Sequence, residues 1–158
     1  MRKNLLTCFG IKKNKISITF ITVVGAFLGV IISIFLSLSS LFSLAFALSI
    51  ILIFEIDKFL QEARNKNDIL ISKIIGIWIA LSATLFGAIK QNFPFPLFWG
   101  TFLAIAGFLL FSFWRPSTIS WIDKNLKGGL GVILSEALAG FAGGMFALVL
   151  ITFLSTII

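Results

Sequence analysis

The sequence predicts an all-α integral membrane protein: about five transmembrane helices plus one short interfacial amphipathic helix, in a single membrane domain over residues 1–158. Three observations carry this. First, 59% of the 158 residues are hydrophobic and only 12% are charged, against ~25% charged in ordinary soluble domains; the mean hydropathy is +1.11. Second, the charge-free stretches are long: 16–54, 74–89 and 97–114 carry no charge, and 132–154 carries only Glu136. Third, these runs are continuously apolar without strict alternation. Backbone in lipid must satisfy its hydrogen bonds within a helix or a closed barrel, and the missing alternation excludes a small barrel.

A span needs about 20 apolar residues, so the elements follow in order. Spans are expected over roughly 16–36, 40–55, 74–90, 97–114 and 132–154. The basic start (Arg2, Lys3, Lys12, Lys13, Lys15) before an apolar run resembles a signal peptide. The run far exceeds an h-region of ~7–15 residues and no small-residue cleavage site follows, so it reads as a retained first span. The break between spans one and two falls near Ser37-Leu38-Ser39-Ser40. Residues 55–66 read as a helical extension of span two, with Glu62 and Lys66 at i, i+4 and Asp57 within reach of Gln61. Spans three and four are short, so tilt or snorkelling flanks are expected. Phe93-Pro94-Phe95-Pro96 cannot be helical, because two prolines remove donors. Residues 117–127 place Ile119, Ile122 and Leu126 on one side with Trp121 nearby, which suits an amphipathic helix at headgroup level, and Pro116 fits its first turn.

Charge orients the chain. Residues 1–15 carry five Lys or Arg, 55–73 carry Lys58, Arg64, Lys66 and Lys73, and 115–131 carry Arg115, Lys124 and Lys127; the intervening connections carry Lys90 alone. The positive-inside rule places the N-terminus in the cytoplasm and the C-terminus on the far side. The formal charge of +7 is accounted for by this orientation and by attraction to anionic headgroups, so no nucleic-acid partner is expected. The single cysteine, Cys8, excludes an internal disulfide framework, and the absence of histidine excludes His-based acid–base catalysis and zincin sites.

Glu136 is the only ionisable residue inside a span and so a functional candidate by default; the competing reading is an interfacial acid or one favoured by a helix N-terminus. Lys127-Gly128-Gly129-Leu130-Gly131 precedes the last span. Such glycines let backbone N–H groups approach an anion at a helix start, though a flexible turn is the simpler reading. Gly25 and Gly29, and the group Ala139, Gly140, Gly143, Gly144 and Ala147, form small-residue faces of the kind that pack helices closely. Ser33, Ser43 and Ser49 are expected to bond helix backbone.

Residues 115–140, RPSTISWIDKNLKGGLGVILSEALAG, resemble the C-terminal signature of the phosphatidylglycerophosphatase A family, approximately KPxPIxxxDxxxKGGxGIMxDDxxAG. NDILISKIIGIWIAL (67–81) is similar to the family's D…IVIDEVVGxWxAL, and FLLFSFWRP (108–116) to FRxFDxxKP. Phe9-Gly10 and VGAFLG (24–29) faintly resemble FG…PGTxGS. The resemblance implies a bacterial inner-membrane enzyme of phospholipid metabolism that removes the terminal phosphate of phosphatidylglycerol phosphate with Mg²⁺. Carboxylates would hold the cation, which polarises the phosphoryl group and activates water.

The sequence departs from that pattern at the acids. Ser72 and Lys73 stand where the family has its DE pair, Ser112 where it has Asp, Leu109 where it has Arg, and Ser135 and Glu136 where it has DD. Val24 and Ala26 replace the Pro and Thr of PGT. Asp68, Asp123, Arg115, Lys127, Gly128, Gly129 and Gly131 remain. Lys73 would repel a metal: at an effective dielectric of ~20, reversing a charge ~4 Å away changes the interaction by several kcal/mol. The expectation is a family member with a degenerate catalytic site. Lys73 pairs with Glu136 in place of the metal, and Arg115, Lys127 and the three glycines retain an anionic phospholipid headgroup. Two alternatives stay open: an active Mg²⁺-dependent lipid phosphatase using Glu136 with Asp123 or Asp68, and a non-enzymatic structural or partner-binding membrane protein. Transport ranks below both, because no charge lies near a span centre.

Overall fold

The computed structural model describes residues 15–61 and 71–157. Six helices follow in order: α1 Lys15–Phe35, α2 Leu38–Gln61, α3 Ser72–Lys90, α4 Pro96–Trp114, α5 Ser117–Asn125 and α6 Gly128–Ile157. All but α5 are long and apolar enough to cross a membrane. The five expected spans and the short sixth helix are therefore present, and no strand occurs among the described residues. The last helix starts four residues earlier than expected, so the glycine run is its first turn and not a flexible connection. At 30 residues it is about 45 Å long, well beyond a ~30 Å hydrocarbon core.

The turns have local causes. Between α1 and α2, the Ser37 hydroxyl accepts from the Ser40 N–H at 3.3 Å and the Ser40 hydroxyl donates to the Ser37 carbonyl at 2.7 Å, a serine N-cap on α2. After α3, Asn92 takes a left-handed φ of 50°, a conformation Asn tolerates. Pro96 opens α4 at its first turn, where its missing N–H costs nothing; of the two prolines, only Pro94 lies outside a helix. Arg115 ends α4 at φ 44°, ψ 71°, and Pro116 caps α5. α5 ends at Asn125, two residues short of the expected segment, burying Ile119 while Trp121 is exposed, as an interfacial helix requires.

α6 packs most extensively on α3 and next on α4. α3 is the most enclosed span, 67% of it buried inside the bundle. The contacts are made by the small-residue faces. A β-carbon at Gly143 would meet the Gly107 backbone, one at Gly140 the Gly76 backbone, and one at Gly144 would lie 3.0 Å from the Ala80 Cα. In lipid, where apolar side chains gain nothing from leaving the solvent, close backbone approach supplies the association energy. Gly25 and Gly29 play the same part for α1 against α3, and the Trp78 indole N–H donates to the Gly25 carbonyl at 2.9 Å. Ser33, Ser43 and Ser49 each donate to their own helix, at 2.8, 3.0 and 2.7 Å. Large residues such as Phe20, Phe27, Phe46 and Phe153 point outward, the inverse of a soluble core.

Candidate functional site

The alternating helix directions bring the start of α3, the end of α4, the end of α2 and the start of α6 to one end of the bundle. Lys73, on the first turn of α3, reaches Ser112 on the last turn of α4 and Glu136, two turns into α6. Its ammonium donates to Glu136 Oε1 at 2.6 Å and to Ser112 Oγ at 2.7 Å. The Ser112 hydroxyl donates in turn to Glu136 Oε2 at 3.3 Å. The ion pair is buried, with the Lys73 and Glu136 side chains 3% and 5% exposed. Arg115 joins from the edge: its left-handed backbone ends α4, and Nη2 donates to Glu136 Oε1 at 3.2 Å. The Phe108 ring, its centroid 6.0 Å from the ammonium, forms the apolar wall.

The expected pairing of Lys73 with Glu136 is thus present, and Ser112 bridges it. Glu136 is buried and lies beyond the first turn of α6. Ser135 does not join the group; its hydroxyl donates to the Val132 carbonyl of its own helix at 3.0 Å. Ser72 is buried beside Lys73 with a hydroxyl that has no hydrogen-bond partner. Asp68, the Glu62–Lys66 pair, Cys8, Phe9-Gly10 and the basic residues before Lys15 lie outside the described residues, as do the side chains of Lys15 and Asp123.

At the start of α6 the carboxylate of Asp57 occupies the position an anion would take. Asp57 Oδ1 accepts from the Gly129 N–H at 2.5 Å, where the helix dipole favours negative charge. Gly128 has φ 74°, and a β-carbon there would strike that carboxylate; one at Gly129 would strike the Ile53 carbonyl, and one at Gly131 the Leu126 carbonyl. The run is built for close approach of α2 and α5, and its anion is supplied from within the chain. Lys127, just outside, is exposed. The side chain of Gln61, the local partner expected for Asp57, lies outside the described residues. A signal was available: an acid near the C-terminal end of a helix opposes the dipole and so calls for a partner elsewhere.

A Mg²⁺ ion of the kind the family pattern implies does not fit the described residues. It would need carboxylate oxygens and waters in near-octahedral array. Glu136 is the one carboxylate in the group, and its two oxygens are taken by an ammonium, a guanidinium and a hydroxyl. Among the described residues, no three His, Cys, Asp or Glu side chains converge on one point.

Comparison with known proteins bears on this arrangement. The family described as Phosphatidylglycerophosphatase A matches residues 4–151. The Phosphatidylglycerophosphatase A of Escherichia coli (strain K12) is 40% identical over 38 residues, 22% of this chain and 22% of that protein; the matched stretch thus spans about a fifth of that relative's length. No solved structure matches.

Proposed function

The chain belongs to the phosphatidylglycerophosphatase A family, and from that premise we propose a bacterial inner-membrane protein of phospholipid metabolism that keeps the family's architecture without its metal-dependent hydrolysis. Its polar end holds an anionic phospholipid headgroup through Arg115 and Lys127. The observation that carries the reading is the 2.6 Å buried contact between the Lys73 ammonium and Glu136. A fixed positive charge stands among the positions where the family pattern has acids, and it satisfies the carboxylate of Glu136 beside it. A divalent cation would have to displace that ammonium and then sit beside it, a repulsion of several kcal/mol even at an effective dielectric of ~20.

The orientation supports the same reading. The bundle end that holds Lys73, Ser112, Arg115 and Glu136 is the end flanked by the cation-rich segments, which the positive-inside rule assigns to the cytoplasm. Polybasic surface there attracts anionic lipid, and exposed Lys124 and Lys127 lie in that layer.

The test is a phosphate-release assay on phosphatidylglycerol phosphate, with the full chain in nanodiscs and Mg²⁺ added or withheld. The expected result is no release above a protein-free control in either condition. Metal-dependent release that disappears in Glu136→Gln would overturn the proposal and establish the active phosphatase instead. Headgroup retention is read separately, as preferential binding of phosphatidylglycerol over phosphatidylcholine that weakens in Lys127→Gln and Arg115→Gln.

A further inference from the structure

Two buried donors at the polar end are left over once the bonds of that group are assigned. The Lys73 ammonium has three N–H donors. Glu136 and Ser112 take two of them, and the third has no acceptor among the described residues. Ser72, its neighbour on the first turn of α3, is 1% exposed, and its hydroxyl has no hydrogen-bond partner. Buried polar groups are as a rule hydrogen-bonded, so two unanswered donors in adjacent positions point to a ligand that accepts hydrogen bonds.

The packing aims Ser72 at the polar group. Gly76 abuts Phe108 while Gly100 abuts Leu85, so α3 and α4 run antiparallel. Ser72 lies four residues before Gly76 and on its face of α3, and Ser112 lies four residues after Phe108 on the matching face of α4. One turn along both helices from the Gly76–Phe108 contact, Ser72 is therefore level with Ser112. α6 closes the same side, because a β-carbon at Gly76 would also meet the Glu136 carbonyl. Arg115 stands at the entrance: its side chain is 28% exposed, against 3% for Lys73. Both cations donate to one carboxylate oxygen, Glu136 Oε1, at 2.6 Å from Lys73 and 3.2 Å from Arg115. The ammonium and the guanidinium are thus close enough for a single phosphate group to take a charge-assisted bond from each.

We propose that the Ser72 hydroxyl and the third N–H of Lys73 form an oxyanion subsite, which takes one oxygen of a phosphate whose other oxygens stay at Arg115; this rests on the headgroup reading given above and adds an inner anchor to it. The donors favour an anionic oxygen over water. Water would bring two hydrogens of its own to a group in which the Glu136 carboxylate already accepts three bonds, whereas a phosphate oxygen only accepts, and bonds from charged donors are the stronger kind. The phosphate of a lipid headgroup and free phosphate share this chemistry. Ser72 stands where the family pattern has an acid, whose carboxylate would repel the same ligand, so the subsite belongs to this chain's own substitutions.

The test titrates short-chain phosphatidylglycerol and, separately, inorganic phosphate against the full chain in phosphatidylcholine nanodiscs, with binding read by calorimetry and the fold by the thermal unfolding midpoint. Ser72→Ala is expected to weaken binding about ten-fold, the size of one hydrogen bond to a charged group. Its ligand-free midpoint should hold or rise, because an unanswered buried hydroxyl has gone. The paired change Lys73→Met with Glu136→Leu, which removes the ammonium together with its counter-charge, should weaken binding at least as much. A response confined to phosphatidylglycerol assigns the phosphate to the lipid, and a response to both probes shows that the phosphate suffices. Unchanged affinity in Ser72→Ala, or a lowered ligand-free midpoint in that variant, would overturn the subsite. If phosphatidylglycerol binding weakens in Arg115→Gln and not in Ser72→Ala, the subsite fails and the headgroup reading stands; if neither probe binds the unaltered chain, both fail.

Discussion

Helices α3 and α6 are tied by side chains at both ends of their shared contact, and the two ties differ in kind. At one end Lys73 meets Glu136 in a buried, charged bond with Ser112 between them. At the other, the Gln91 amide, just past α3, donates to the Thr152 hydroxyl and accepts from that of Ser155, both at 2.8 Å, on the exposed or half-exposed rim. The first tie holds charges buried away from water; the second holds groups that water or lipid headgroups would satisfy equally well. The difference shows that bond length is a poor guide to what a contact contributes. What matters is the state of the groups when the contact is gone.

Mutation can break that comparison directly. The largest effect is expected from Glu136→Ala, which leaves the buried Lys73 ammonium without its counter-charge, on the Ser112 hydroxyl and the Phe108 wall. Loss of one partner of a buried pair costs about 3–5 kcal/mol, read as a lowered thermal unfolding midpoint in detergent. Replacing both, as Lys73→Met with Glu136→Leu, should recover most of that loss, because apolar pairs of similar volume match or exceed buried ion pairs by up to ~4 kcal/mol. A double variant as unstable as the single one would mean that the charges themselves are needed.

Next comes the neutral contact beneath the charged one. Gly143→Ala would drive a methyl into the Gly107 backbone, and overpacking of this kind costs about 1–3 kcal/mol; the same unfolding measurement reads it. Asp57→Ala removes the cap on α6 and should cost about 1 kcal/mol, while Asp57→Asn, which keeps an acceptor for the Gly129 N–H, should cost less. The smallest effect is expected from Gln91→Ala at the opposite rim, within about 0.5 kcal/mol. If Gln91→Ala equalled Glu136→Ala, the contrast between the two ends would collapse.

Much of this arrangement was readable from the sequence, for reasons that can be named. Long charge-free runs mark spans because lipid admits little else, and the Ser37 break and the Pro94 connection announce themselves by capping and by a missing donor. The small residues on α6 foretold close packing, and the resemblances at residues 67–81 and 115–140 placed Lys73 and Glu136 at one site. Two things were hidden. The Asp57–Gly129 bond joins residues 72 apart, and helical period says which face a residue is on without saying which helix that face meets. Ser135 and Ser112 occupy equivalent-looking acid positions, yet one turns back on its own helix while the other bridges an ion pair; side-chain rotation decides that, and the family pattern does not encode it.

The left-to-right order of the chain gives the buried pair a history. Lys73 precedes Glu136 by 63 residues, and chains emerge from the ribosome N-terminal end first. The ammonium is therefore made before its counter-charge. Arrival of α6 does two things in one motion: it threads its glycines against Gly76 and Gly107, and it delivers the acid. A chain halted before residue 136 would carry the Lys73 cation without the carboxylate that neutralises it.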